Sequence, residues 1–126
     1  MKNAHLTIYA YQNCGTCKKA LAYLDRKGIA YKKIPIRDQP PTMQELKRML
    51  KYVDGNLRKL FNTSGQDYKA LNLSQKLPSM RETDALTLLA RNGNLVKRPF
   101  VLTSNLGWVG FDETMWEQLL STLIQS

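Results

Sequence analysis

Apolar and polar positions alternate along residues 6–11. Leu6, Ile8 and Ala10 fall on one side, and Thr7, Tyr9 and Tyr11 on the other. A period of two predicts a strand. The pattern then changes: Cys17, Ala20, Leu21 and Leu24 recur at helical spacing, so residues 15–27 read as a helix with Gly28 suited to its C-terminus. Residues 30–36 return to strand character. Pro35 withholds one backbone donor and so places this strand at a sheet edge. Strand, helix and strand make a βαβ unit with an expected right-handed crossover.

A helical middle follows. Pro40-Pro41 stops the strand, and Thr42 with Glu45 forms a Thr-x-x-Glu capping box ahead of an apolar stripe of Met43, Leu46, Leu50 and Val53. Gly55 suits the end of that helix. Residues 57–61 and 66–71 read as short helices around the turn residues Asn62-Thr63-Ser64-Gly65. Ser79 and Glu82 form a second capping box before a helix with Ala85, Leu86, Leu89 and Ala90 inward, ended by Asn92-Gly93. Residues 98–102 and 108–111 read as a hairpin turning through 104–107. Asp112 then caps a last helix with Met115, Leu119, Leu120 and Leu123 on one face. The order βαβ, helices, ββα predicts an α/β sandwich with a helical insertion.

Composition narrows the class. A chain of 126 residues that is 43% hydrophobic is expected to form one domain over residues 1–126, with the insertion at about 41–91. No apolar run approaches the roughly 18 residues of a membrane helix. The segment Met1-Lys2-Asn3-Ala4-His5 lacks the features of a secretory signal, which predicts a cytoplasmic protein; His5 reads as a terminal surface residue. The net charge is +9, from 19 Lys and Arg against 10 Asp and Glu. The basic residues are dispersed, with no basic tail and no nucleic-acid motif, so a solvated surface is expected rather than direct DNA binding. An acidic protein partner stays open, and a monomer is expected.

The chemistry rests on two cysteines, Cys14 and Cys17. Without an export signal they argue for thiol chemistry rather than a structural framework. A structural zinc site needs four ligands, and two cysteines with one histidine, His5, fall short, so no metal is expected. A thiolate is the attacking species. A helix start favours it through unpaired backbone N–H groups and the macrodipole. In Cys14-Gly15-Thr16-Cys17, Cys14 stands just before the first turn, Gly15 admits close approach of the backbone, and Lys18 and Lys19 add positive potential. Cys17 lies on the apolar face, one turn on and close enough for a disulfide after small adjustment. Cys14 is thus the expected nucleophile and Cys17 the resolving thiol.

Several stretches together carry a resemblance: Cys14-Gly15-Thr16-Cys17-Lys18-Lys19-Ala20-Leu21, Pro40-Pro41-Thr42, Glu45-Leu46, Tyr68-Lys69-Ala70-Leu71-Asn72-Leu73 and Lys97-Arg98-Pro99-Phe100-Val101. From about Leu6 to Leu120 the chain resembles the arsenate-reductase-related family, which includes Spx-type transcription regulators. The resemblance implies a thioredoxin-like fold with a helical insertion, a cis bond before Pro99 facing the cysteine, Cys14 as catalytic cysteine, and Arg98 as a residue that holds an oxyanion. An arginine fork beside a thiolate suits that role. It implies no bound cofactor. The electron donor would be a low-molecular-weight thiol, glutaredoxin or thioredoxin, and the partner a thiol or disulfide substrate or a redox protein. Arsenate reductases hold two further arginines, where this chain has Asn62 and the stretch Val109-Gly110-Phe111, and they generally lack a cysteine at position 17. Efficient arsenate reduction is therefore not expected. The alternative implied is a redox switch that binds the RNA polymerase α subunit, for which Gly55 aligns with a glycine that touches the polymerase.

Overall fold

This computed structural model describes the backbone of residues 6–125 and the side chains of residues 6–122. His5 and the side chain of Leu123 lie outside the described residues. Strands β1 (Leu6–Ala10), β2 (Tyr31–Pro35), β3 (Phe100–Leu102) and β4 (Gly107–Val109) form one sheet in the order β2-β1-β3-β4. β1 and β2 are parallel, with Ala10 opposite Pro35, and β3 runs antiparallel to both of its neighbours. β2 is an edge strand, where the missing N–H of Pro35 breaks no ladder.

The helices are α1 (Gly15–Arg26), α2 (Met43–Tyr52), α3 (Gln66–Ala70), α4 (Leu73–Lys76), α5 (Glu82–Arg91) and α6 (Glu113–Gln125), with 3-10 turns at Leu57–Leu60, Leu77–Ser79 and Gly93–Leu95. The alternation in β1 feeds two cores. Leu6, Ile8 and Ala10 join Val101 and Trp108 beneath Cys17, Ala20, Tyr23 and Leu24 of α1 and Trp116 and Leu120 of α6. Tyr9 points the other way and joins Ile34, Phe100 and Leu102 beneath α2 and α5. Helices thus cover both faces of the sheet, in the α/β arrangement that the element order predicts and with the thioredoxin-like fold that the resemblance implies.

The first capping box forms. Glu45 N–H donates to Thr42 Oγ1 at 3.2 Å, and Thr42 N–H donates to Glu45 Oε1 at 2.9 Å. The same Oε1 accepts from Tyr9 O–H at 2.6 Å, which ties the helix start to the central strand. The second capping box does not form. The residue before α5 is Arg81, and Ser79 Oγ instead donates to Lys76 O, because residues 77–79 are taken into a 3-10 turn. α4, absent from the sequence reading, is a four-residue segment too short for periodicity to reveal.

In α6 Leu119 and Leu120 face the core as read, and one position departs from the reading. Asp112 Oδ1 accepts from Met115 N–H as expected, but Met115 is exposed. Trp116 is fully buried instead, with its indole N–H donating to Gly110 O at 3.0 Å. Its ring packs edge-on to Trp108, Phe111 and Tyr23. The larger aromatic surface wins the inward position. Gly55 ends α2: it has φ 77°, and its N–H donates to Leu50 O at 2.8 Å. Among the described residues no helix is long and apolar enough to cross a membrane.

Candidate functional site

The loop from β1 to α1 fixes Cys14. Its N–H donates to Tyr11 O at 3.0 Å, and its extended backbone makes it the N-cap of α1. In that place the Sγ accepts from Cys17 N–H at 3.2 Å, one of the helix's otherwise unpaired donors. Cys14 is half-buried, and Gly15, Thr16 and Lys18 around it are exposed. Cys17, one turn on, is completely buried in the core beneath α1. Burial, and after it the contact with Cys14, pushes the Cys17 thiol up to about 12. The arrangement holds one accessible sulfur with a backbone donor on it and one protonated sulfur behind it. Both are free thiols in this structure.

The bond from Arg98 to Pro99 is cis, and β3 begins only at Phe100, two residues later than the pattern indicates. The Arg98 guanidinium stands 5.3 Å from the Tyr11 ring centroid and close enough to Cys17 for its charge to act on that thiol. Its Nη1 is shut off from solvent and has no hydrogen-bond partner among the described residues. A charged donor left in this state lacks compensation that an anion would supply. Arg98 therefore stands near Cys17 and the Tyr11 ring, with one donor free.

The other positions of interest are occupied differently. Asn62 Nδ2 leans on Asn94 O at 3.5 Å, and Asn62 N–H donates to Leu95 O at 2.7 Å, so its polar groups are spent on the neighbouring turn. Gly110 N–H donates to Pro99 O at 2.8 Å, which sets this side-chain-free residue beside the cis bond. Among the described residues no group of three His, Cys, Asp or Glu side chains converges to hold a metal ion.

Two residues at the site escaped the sequence reading. Arg37 donates to the Tyr11 hydroxyl and stacks with its guanidinium carbon 4.6 Å from the ring centroid. Asn13 Nδ2 donates to the same hydroxyl at 3.2 Å. The Asn13 hydrogen bond, followed by the Arg37 and Arg98 charges, lowers the Tyr11 pKa from its ordinary value. A signal for the pair existed: in a parallel βαβ unit the residues just past both strands share the carboxyl edge of the sheet, where ligands of α/β folds gather. Tyr11 follows β1 and Arg37 follows β2 by one residue more.

Comparison with known proteins identifies the family. The chain is 43% identical over 113 residues to the uncharacterized protein YusI of Bacillus subtilis, covering 90% of this chain and 96% of that one. It is 27% identical over 108 residues to the global transcriptional regulator Spx of Listeria innocua, covering 86% of this chain and 81% of the regulator. A crystal structure of an ArsC family related protein from Bacteroides fragilis superposes with a TM-score of 0.87 at 42% identity, covering 94% of this chain and 99% of that one. The model of the ArsC family matches residues 9–119, a span that takes in the Cys14 junction, the Arg98–Pro99 bond and the final hairpin, and the chain belongs to that family.

Proposed function

We propose that the protein is a thiol–disulfide oxidoreductase in which Cys14 attacks and Cys17 resolves. One observation carries this reading: the half-exposed Cys14 sulfur caps α1 and accepts the Cys17 N–H, while Cys17 sits buried and protonated one turn behind. The Cys14 thiolate attacks one sulfur of a substrate disulfide. A Cys14–substrate bond forms, and the other half leaves as a thiolate with the electron pair and gains a proton from water. Cys17 then loses its proton to solvent and attacks the Cys14 sulfur. The second half leaves, the substrate is reduced to two thiols, and the protein holds a Cys14–Cys17 disulfide. Arg98, with an uncompensated guanidinium N–H, supports negative charge at the sulfur during both displacements. A low-molecular-weight thiol, glutaredoxin or thioredoxin would restore the dithiol.

The test is a Cys17→Ser trap. Mixed disulfides should accumulate on Cys14 of that variant and turn over in the wild type. Adducts that form equally on a Cys14→Ser variant would overturn the assignment. Arsenate should be a poor substrate, since Asn62 and Gly110 replace cationic side chains, and a steady-state assay with thioredoxin or glutaredoxin checks it.

Similarity to Spx regulators supports a second reading, a redox switch on the RNA polymerase α subunit. Gly55 is exposed after α2, although its positive φ and its bond to Leu50 O account for it as a helix terminator. Salt-resistant polymerase binding that differs between the redox forms and depends on Gly55 would favour the switch.

A further inference from the structure

The carboxyl edge of the β1–β2 pair opens into a cleft of about 590 Å³ whose lining includes neither cysteine. Tyr11 and Gln12, from the loop that holds Cys14, line it together with Lys33, Arg37 and Asp38, from β2 and the residues after it, and Asn94. Asn94 reaches this place because Gly93 has no side chain: a Cβ on Gly93 would lie 1.8 Å from Ile36 O, so the 3-10 turn rests directly on the backbone before Arg37.

The charges in the cleft are unpaired. Among the described residues neither Arg37, Lys33 nor Asp38 forms an ion pair. Outside the lining but against the Tyr11 ring, the Arg98 Nη1 is buried with no hydrogen-bond partner among the described residues. Arg37 is not loose: its bond to the Tyr11 hydroxyl and its stacking on the ring hold the guanidinium beside the Cys14 loop. A stacked arginine still presents N–H donors at its edge, in the fork that matches a carboxylate. The one acid in the lining, Asp38, would oppose a second anion but would accept an ammonium group. Two cations, one carboxylate and two side-chain amides, Gln12 and Asn94, match an amino-acid end group, which carries one charge of each sign.

On the reading of Cys14 as nucleophile, we infer that this cleft is the substrate subsite, and that it selects small disulfides ending in a free amino acid. Arg37 takes the carboxylate, Asp38 the ammonium group, and the disulfide extends along Tyr11 to Cys14. Cystine and glutathione disulfide belong to this class.

The experiment compares the first displacement on Cys17→Ser protein for three disulfides: glutathione disulfide, 3,3′-dithiodipropionate, which has carboxylates alone, and neutral bis(2-hydroxyethyl) disulfide. Glutathione disulfide should react fastest after correction for intrinsic reactivity with a free thiol. Arg37→Gln should lower its preference over the neutral probe by about fivefold, the scale of an exposed charge pair, with partial return in Arg37→Lys. Asp38→Asn should reduce the preference for glutathione disulfide over dithiodipropionate. Equal corrected rates for the three probes, or a preference unmoved by both changes, would overturn the subsite and leave the reductase reading intact. If Cys14 attacks none of the probes, the reductase reading falls instead. The subsite is then judged by titration calorimetry with S-methylglutathione, which cannot exchange. Binding weakened by Arg37→Gln upholds it, and no binding overturns it.

Discussion

The protein has two basic hollows of equal size, about 590 Å³ each, at opposite edges of the sheet. One lies past the ends of β1 and β2 beside Tyr11 and Arg37. The other runs along β4, lined by Arg58, Lys59 and Lys97 with Met115 on its rim. Volume does not separate them, and the β4 hollow has the larger excess of cations. What separates them is connection to chemistry. The Tyr11 hollow shares a loop with Cys14 and has Arg98 against its wall, with a guanidinium N–H buried and unpartnered. The shielded unpartnered donor at the β4 hollow is the Trp108 indole N–H, which is neutral and belongs to a core ring. A cationic surface becomes a candidate site when a buried charge and a reactive atom stand next to it.

The strongest way to break this comparison is at the reactive atom. Cys14→Ser should bring disulfide reduction to background. Joint loss of Arg58 and Lys59 to Ala should change the rate by less than about threefold, because exposed surface charges are screened by salt. Stopped-flow reaction with a chromogenic disulfide measures both.

Stability sharpens the contrast between rim and core. Trp116→Ala removes a buried ring and its hydrogen bond to Gly110 and should cost about 4 kcal/mol. Met115→Ala, its exposed neighbour on the β4 hollow, should stay within about 0.5 kcal/mol. Urea unfolding reads the difference. Gly93→Ala should cost about 3 kcal/mol by driving a Cβ into Ile36 O. It should also disturb the Tyr11 hollow while sparing the β4 hollow, visible as amide shifts around Arg37 and Asn94.

A further contrast is a pH signature of Cys17. Its thiol is held at about 12 against an ordinary 9.0. The folded chain therefore keeps a proton that the unfolded chain gives up above pH 9. This contribution to stability is whole below about pH 9 and is lost as pH rises toward 12. Wild-type protein should lose stability more steeply over that window than Cys17→Ala, by chemical denaturation at several pH values.

Much of this was legible in the sequence, since it rests on local rules. The period-two run at 6–11, the Thr42–Glu45 box, Pro35 at an edge and the Cys14 helix start each follow from a few adjacent residues, and each is found where those residues place it. The short α4, the failed box at Ser79 and the inward turn of Trp116 were not legible. In each case a competing local turn or a ring's packing partners outweighed the pattern. The sequence by itself determined the order of the main elements, the family and the placing of Cys14 and Cys17 one helical turn apart. Only the tertiary structure decided that Arg37, Tyr11 and Arg98, from three separate segments, meet beside Cys14. Parallel pairing of β1 with β2 brings the first two to one edge, and antiparallel pairing of β3 with β1 delivers the third. Contacts between strands distant in sequence carry no local signature, so their meeting appears only when the sheet is assembled.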